Sequence, residues 1–224
     1  AAPPAAWQQL LQPRTLAIMA NSALLTVAVT AASIALAVPL AWLLARTDLP
    51  GRRVWTVLLI LPLAVPSYVA AFSLLAMFGP KGMVQGWLAP LGVARLPELS
   101  GLPGAWLALT LFTYPYVLLT VRAGWRRLDA SQAEAGRSLG HGPWGAFRRV
   151  TLPHLRPSIA AGGLLVALYT LSDFGAVSLL RANVFTQAIY TQYRSSFDRS
   201  YAALLSLVLV AATLAILWAE QRAR

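Results

Sequence analysis

The sequence of 224 residues contains no cysteine and few charged side chains. The lack of cysteine excludes disulfides, thiolate metal sites and cysteine nucleophiles. Only 11% of the residues are charged, whereas a soluble domain usually carries about 25%. The two histidines, His141 and His154, are too few for a His-rich metal site. With a mean hydropathy of +0.64, the composition indicates an integral membrane protein.

Catalytic motifs are also missing. The sequence has no Gly-x-x-x-x-Gly-Lys-Ser/Thr phosphate loop, so we do not expect it to bind ATP in that manner. It shows no nucleophile beside a base, and no cofactor or bound metal is expected. A membrane-embedded enzyme would need paired acidic, basic or metal-binding residues at one depth, and the spans contain a single ionisable residue, Asp173. We therefore expect a protein without catalytic residues.

Long charge-poor stretches predict an all-α, polytopic membrane protein. A spanning helix needs about 20 apolar residues to cross about 30 Å of hydrocarbon, and its backbone groups must be satisfied within the helix. Prolines within these stretches predict kinks or broken turns. The five predicted spans are 15–45, 54–78, 104–121, 157–180 and 200–219.

The distribution of arginine and lysine predicts the orientation of the spans. Twelve of the 18 Lys and Arg residues lie in 46–53, in 122–156 and in the C-terminal tail. Because cytoplasmic loops are enriched in these residues, this side is predicted to be cytoplasmic, with the C-terminus inside. Residues 1–14 are then a lead-in outside the membrane. The absence of a signal peptide before an outside N-terminus suggests a piece of a longer protein with a further upstream span.

The long cytoplasmic loop has helix signals of its own. Ser131 and Glu134 form a Ser-x-x-Glu capping box, which predicts a short helix that ends near Gly140. Pro143 suits the first turn of a second short helix, and Pro153 is predicted to end it. The loop is therefore predicted to be a helix-turn-helix lying against the membrane.

The spacing within this loop resembles the EAA loop of bacterial ABC importer permeases. That pattern is Glu-Ala-Ala, three residues, Gly, nine residues, then Ile-x-Leu-Pro. Here Gly136 replaces the second alanine and Val150 replaces isoleucine, both conservative changes in size. The positions that match the family's coupling residues are Glu134, Ala135, Gly136, Gly140, Leu152 and Pro153.

The resemblance implies a five-helix type I importer core in the bacterial inner membrane, with cytoplasmic coupling helices. In that family the loop docks into a groove on a cytoplasmic ATPase, of which two copies hydrolyse the ATP. A solute-binding protein docks outside, and a second permease half or an identical subunit completes the pathway within the lipid. Glu134 would offer its carboxylate to a basic residue of the ATPase, while helix capping alone is the alternative reading.

Two further stretches narrow the resemblance. "LLARTDLPGRR" followed by "LPLAVPSYVAAF" resembles the first cytoplasmic turn and second span of the ferric iron permeases. "YTLSDFGAVSLL" resembles their fourth span. These likenesses imply Fe(III) as cargo, delivered by a periplasmic binding protein. Thiamine, sulfate and polyamine permeases share much of the scaffold and stay as alternatives.

Asp173 is predicted to line the translocation path. An ionisable residue within a span is costly and usually faces the bundle interior or a cavity. Tyr169 lies four residues earlier on the same helix face, and Ser172 adjoins it. The alternatives for Asp173 are a structural hydrogen bond between helices and a position near the outer surface.

The outer loop before the fifth span predicts an amphipathic helix, because Phe185, Ile189 and Tyr193 recur at helical spacing. Two other classes of protein stay open. An ion-driven secondary transporter would account for the spans but not for the loop spacing. A nucleic-acid-binding membrane protein could use the net charge of +11, but basic cytoplasmic loops are the ordinary cause, and no nucleic acid partner is expected.

Overall fold

The computed structural model describes residues 11–79, 82–92, 95–96, 98–127, 145, 147–195 and 199–223, and these ranges contain no strand. Short 3-10 turns cover Leu61–Ala64 and Ala89–Leu91, and a π-helical turn covers Phe147–Thr151. The α-helices of the described ranges are α1 (Pro13–Arg46), α2 (Arg52–Ile60), α3 (Ser67–Phe78), α4 (Met83–Leu88), α5 (Gly101–Arg127), α6 (Leu152–Ser172), α7 (Gly175–Leu179), α8 (Phe185–Ser195) and α9 (Ser200–Ala223).

The described chain has five helical stretches long and apolar enough to cross a membrane. Four are α1, α5, α6 and α9, and the fifth begins with α3. The predicted all-α class is confirmed. The predicted spans 15–45, 104–121 and 200–219 lie within α1, α5 and α9.

The second predicted span, 54–78, is not one continuous helix. α2 ends at Ile60, a 3-10 turn follows, and α3 begins only at Ser67. Proline disfavours helical geometry in the residue before it, and Val65, which precedes Pro66, is extended with ψ 122°. The predicted span is therefore two helices joined by a turn.

The fourth predicted span, 157–180, also needs correction, because α6 begins and ends earlier. Pro153 does not stop a helix. It occupies the first turn of α6, where a missing backbone N–H costs nothing. At the other end Asp173 is extended (ψ 131°), and α7 restarts after it. Asp173 therefore lies just beyond the helix rather than within it.

The core is centred on α1, α5 and α6. Val29 of α1, Val117 of α5 and Val166 of α6 are fully buried. By contrast, α9 exposes large apolar side chains such as Leu214 along its length. Apolar side chains exposed along a long helix suit contact with lipid or with another membrane subunit.

Gly162 brings α5 and α6 unusually close together. A Cβ added at Gly162 would lie 2.3 Å from Thr120 Oγ1 and 2.7 Å from Val117 Cα. A Cβ at Gly124 would similarly lie 2.3 Å from Ser158 Oγ. Small residues allow the two backbones to approach closely. This close packing stabilises the helix pair, because the hydrophobic effect between helices in lipid is weak.

The bundle has two ends, named here for an arginine at each. At the Arg14 end, the N–H of Gly101 donates to the Leu180 carbonyl, which joins the start of α5 to the end of α7. At the Arg122 end, Arg126 lies in the last turn of α5, and α2 begins at Arg52.

The predicted amphipathic helix is confirmed as α8 at the Arg14 end. Its buried Phe185 packs in a small cluster with Ile18 of α1 and Leu205 of α9. Its exposed face carries Tyr190 and Tyr193. α8 therefore connects the ends of two spanning helices.

We expect Gly162→Ala to destabilise the bundle, because the new methyl group meets the backbone of α5 and the helices must separate. The overpacking cost should be about 1–3 kcal/mol. Thermal unfolding of the purified protein in detergent measures it. Gly163→Ala is the matched control, since its Cβ would meet only side-chain atoms, the nearest 3.3 Å away at Ile34. Equal melting temperatures for the two variants would contradict the close contact.

Candidate functional site

The predicted coupling loop falls largely outside the described residues. Glu134, Ala135, Gly136 and Gly140 lie in 128–144, which the structure does not describe. Leu152 and Pro153 are described; they form the first turn of α6, and both are half-buried. The structure thus shows how the loop is attached, and its coupling role stays a prediction.

Both flanks of the loop are held together by an aromatic stack. Trp125, near the end of α5, stacks on Phe147 with ring centroids 6.2 Å apart and planes 17° from parallel. Trp125 is buried, and Leu155 beneath it is fully buried. The Gly124–Ser158 approach lies at the same level. The two helix ends that flank the loop are therefore packed against each other.

Trp125 and Phe147 were not among the predicted site residues. The available signal was an aromatic side chain on each flank of an arginine-rich loop. That signal is weak because tryptophan at a span end is usually a membrane-interface residue. Only the folded chain shows that the two rings meet.

Asp173 has a defined structural role in the turn after α6. Its side chain is 7% exposed. Oδ1 accepts hydrogen bonds from the N–H groups of Ala176 (3.0 Å) and Val177 (3.3 Å), and so caps the short helix α7. Its carbonyl oxygen accepts from the Thr186 hydroxyl at 2.7 Å. These side-chain bonds are local to the turn, whereas the alternative weighed above was a hydrogen bond between helices, which stays a prediction.

Tyr169 and Ser172 lie next to this turn. The Tyr169 ring is half-buried, with its centroid 5.9 Å from that of Tyr116 on α5. Ser172 is exposed, and its hydroxyl donates to the Tyr169 carbonyl at 3.0 Å. The three predicted path residues are thus adjacent, and their place on a translocation path stays a prediction. Within the described ranges, no three His, Asp or Glu side chains group as a metal site would require.

Replacements of Asp173 can separate capping from transport. Asp173→Ala removes the acceptor and should cost about 1 kcal/mol, as lost helix caps do. Asp173→Asn keeps an acceptor oxygen at the same place and should melt like the natural protein. Thermal unfolding and substrate uptake are measured for both variants. Normal stability with reduced uptake in Asp173→Asn supports a path role for the charge, whereas normal uptake contradicts it.

Comparison with known families gives a match over most of the chain. Residues 37–221 match the model described as "Binding-protein-dependent transport system inner membrane component". The chain is 35% identical over 211 residues to the Fe(3+)-transport system permease protein FbpB 2 of Haemophilus influenzae. It is 30% identical over 184 residues to the sulfate transport system permease protein CysT of Escherichia coli. It is 34% identical over 160 residues to a probable molybdenum ABC transporter permease protein of Haloferax volcanii.

These relatives are longer than the chain. The matches cover 94%, 80% and 71% of this chain but 38%, 65% and 57% of the iron, sulfate and molybdenum permeases respectively. The alignments therefore leave part of each permease without a counterpart.

Two solved structures show the same fold. One is a bacterial ABC transporter involved in the import of the polysaccharide alginate, with TM-score 0.77 and 16% identity. It covers 98% of this chain and 83% of the other. The other is the MetNI methionine ABC transporter, with TM-score 0.70 and 16% identity, covering 92% of this chain and 93% of the other. The predicted importer fold is confirmed.

Proposed function

The chain belongs to the family of binding-protein-dependent transport system inner membrane components, and from that premise we propose that it is the permease component of an ABC importer for ferric iron. The observation that carries the iron assignment is the 35% identity to the iron permease, which extends over 94% of this chain. The five candidate spans support the role of a translocation subunit. The arginine distribution supports a cytoplasmic position for the Arg122 end.

The proposed partners act at opposite ends of the bundle. An ATPase subunit, present in two copies, binds the loop between α5 and α6 on the cytoplasmic side. A solute-binding protein delivers cargo at the Arg14 end. A second permease half or an identical subunit faces this chain, since a pathway forms between two such units.

Contacts between helices connect the loop mechanically to the far end of the bundle. A pull on the loop acts on the Trp125–Phe147 stack at its base. α5 and α6 then move as one body because Gly162 holds their backbones in contact. The far end of α6 leads through Asp173 into α7 and α8. Rigid-body rocking between two arrangements is the expected response to ATP-driven closure of the ATPases.

Tyr169 and Ser172 are the proposed path-lining residues beside Asp173. Ferric iron is a hard cation that favours oxygen ligands, and all three side chains carry oxygen. Because Asp173 Oδ1 already accepts two backbone hydrogen bonds, its proposed contribution is a local negative charge rather than direct coordination.

An oxyanion importer is the second candidate. The observation that favours it is the 30% and 34% identity to sulfate and molybdenum permeases over most of this chain. Both candidates use the same scaffold and the same coupling loop. They differ only in the ion that crosses.

Uptake measurements decide between the two cargoes. The full chain is reconstituted in vesicles with its ATPase and binding protein, and radioactive ferric iron, sulfate and molybdate are supplied in turn. We expect ATP-dependent accumulation of iron that excess sulfate does not reduce. ATP-dependent uptake of sulfate or molybdate without iron uptake would favour the oxyanion importer over the iron importer.

The coupling loop is tested by Glu134→Ala combined with Gly140→Pro at matched expression. The double variant removes the carboxylate and stiffens the turn, so the ATPase should no longer co-purify while the helices still insert into the membrane. The control is Arg95→Gln, an exposed residue at the other end of the bundle, which should keep the ATPase. Retention of the ATPase by the double variant contradicts the EAA interpretation and favours an ion-driven secondary transporter.

A further inference from the structure

A polar pocket of about 380 Å³ lies at the Arg14 end, between the start of α1 and helices α8 and α9. Two arginines line it, Arg14 and Arg181. Asn183 and Gln187 are also lining residues. None of the lining residues that the structure describes is acidic. Among the lining residues that the structure describes, the pocket therefore combines two positive charges with several uncharged polar side chains.

The two arginines are distinguished by having no protein partner. Neither guanidinium makes a hydrogen bond or an ion pair within the described part of the chain. The remaining described arginines at this end are engaged. They are Arg95, which pairs with Glu98 at 3.1 Å, Arg194, which donates to the Tyr190 hydroxyl at 3.0 Å, and Arg199, which lies 4.3 Å from the centre of the Tyr193 ring.

Arg181 occupies a left-handed backbone position that glycine usually takes. Arg181 has φ 55°, the only positive φ at a non-glycine residue of the described chain. The Ala182 N–H bonds to the Val177 carbonyl (2.9 Å) and the Arg181 N–H to the Ser178 carbonyl (3.2 Å). This is a Schellman motif that ends α7, and its left-handed position normally takes glycine. Arg181 therefore holds a backbone conformation that costs free energy in a residue other than glycine.

Hydrogen bonds tie together the helices that surround the pocket. The Thr15 and Tyr201 hydroxyl groups are hydrogen-bonded, which ties α1 to α9. The Asn21 side chain donates to the Asn183 carbonyl at 3.1 Å. The Phe185 N–H donates to the Ser22 hydroxyl at 3.0 Å. Such preorganisation lowers the cost of ordering the site on binding.

We propose that this pocket binds a tetrahedral oxyanion group of the sulfate or phosphate type between Arg14 and Arg181. A guanidinium presents paired N–H donors that match two oxygens of such a group. The amides of Asn183 and Gln187 supply further donors to the remaining oxygens. The volume accommodates the group together with water. The same chemistry is offered by a free dianion and by the phosphate of a phospholipid headgroup.

This site goes beyond the proposed import of iron, and its binding test does not require any ion to be transported. Its test therefore uses the purified full chain alone, in lipid nanodiscs without ATPase or binding protein. If iron uptake fails, the proposal for the pocket still stands. If anion binding fails, the iron assignment still stands.

The first arm measures sulfate binding by calorimetry, with chloride at equal ionic strength as the reference. The natural chain in nanodiscs of zwitterionic lipid should bind sulfate in preference to chloride. Arg14→Gln and Arg181→Gly should each weaken sulfate binding by about tenfold or more, as expected when a charge-assisted pair is lost. Arg95→Gln removes one charge from the same end but not from the pocket, and should bind like the natural chain.

Arg181→Gly also separates binding from folding. Glycine relieves the left-handed strain, so this variant should melt at the natural temperature or about 2 °C above it while it loses the anion. A variant that loses both stability and binding would contradict the assignment of Arg181 as a ligand-binding residue retained against strain.

The second arm exposes the chain to phosphatidylglycerol, and native mass spectrometry counts the lipids retained. Retention of this lipid that depends on Arg14 and Arg181, without sulfate binding, assigns the site to a headgroup phosphate. Sulfate binding alone assigns it to a free dianion. The proposal is overturned if the natural chain binds neither ligand, or if Arg95→Gln weakens binding as much as the two pocket variants do.

Discussion

The close approach of α5 and α6 is the contact on which the rest of the structure depends. Between helices in hydrocarbon the hydrophobic effect gives little attraction, so packing must come from surfaces that fit closely. Gly162 and Gly124 provide such surfaces, since even one added carbon at either position would overlap the facing helix. α1 packs across this pair, and its buried Val29 belongs to the same core. The loop between α5 and α6 thereby acquires a rigid base, with Trp125 stacked on Phe147.

Each break in a helix leaves backbone N–H and C=O groups that need hydrogen-bond partners within the membrane. Pro66 separates α2 from α3 because the residue before it is extended. Asp173 ends α6 and starts α7, with its carboxylate replacing a missing helical acceptor for two N–H groups. Irregular backbone at membrane depth is tolerated where it is satisfied and covered in this way. The turn at Asp173 therefore stays compact and places α8 against the ends of α1 and α9.

The two ends of the bundle carry positive charge for different reasons. At the Arg122 end, arginines flank the loop proposed to bind an ATPase, as the charge rule for cytoplasmic loops leads one to expect. At the Arg14 end, Arg14 and Arg181 face a shared pocket without a described partner. Such a field repels a bare trivalent cation. Ferric iron entering from this end would therefore need to arrive shielded by its binding protein or accompanied by an anion.

The helical class could be predicted from the amino-acid sequence, as could three of the five spans to within a few residues, the amphipathic α8 and the spacing of the coupling loop. These follow from hydropathy, charge and local periodicity, which each segment carries independently of its neighbours. The folded chain alone shows that Trp125 meets Phe147 and that Arg14 and Arg181 line one pocket. Each of these depends on packing between segments far apart in the chain, and no local pattern records which distant side chains will meet.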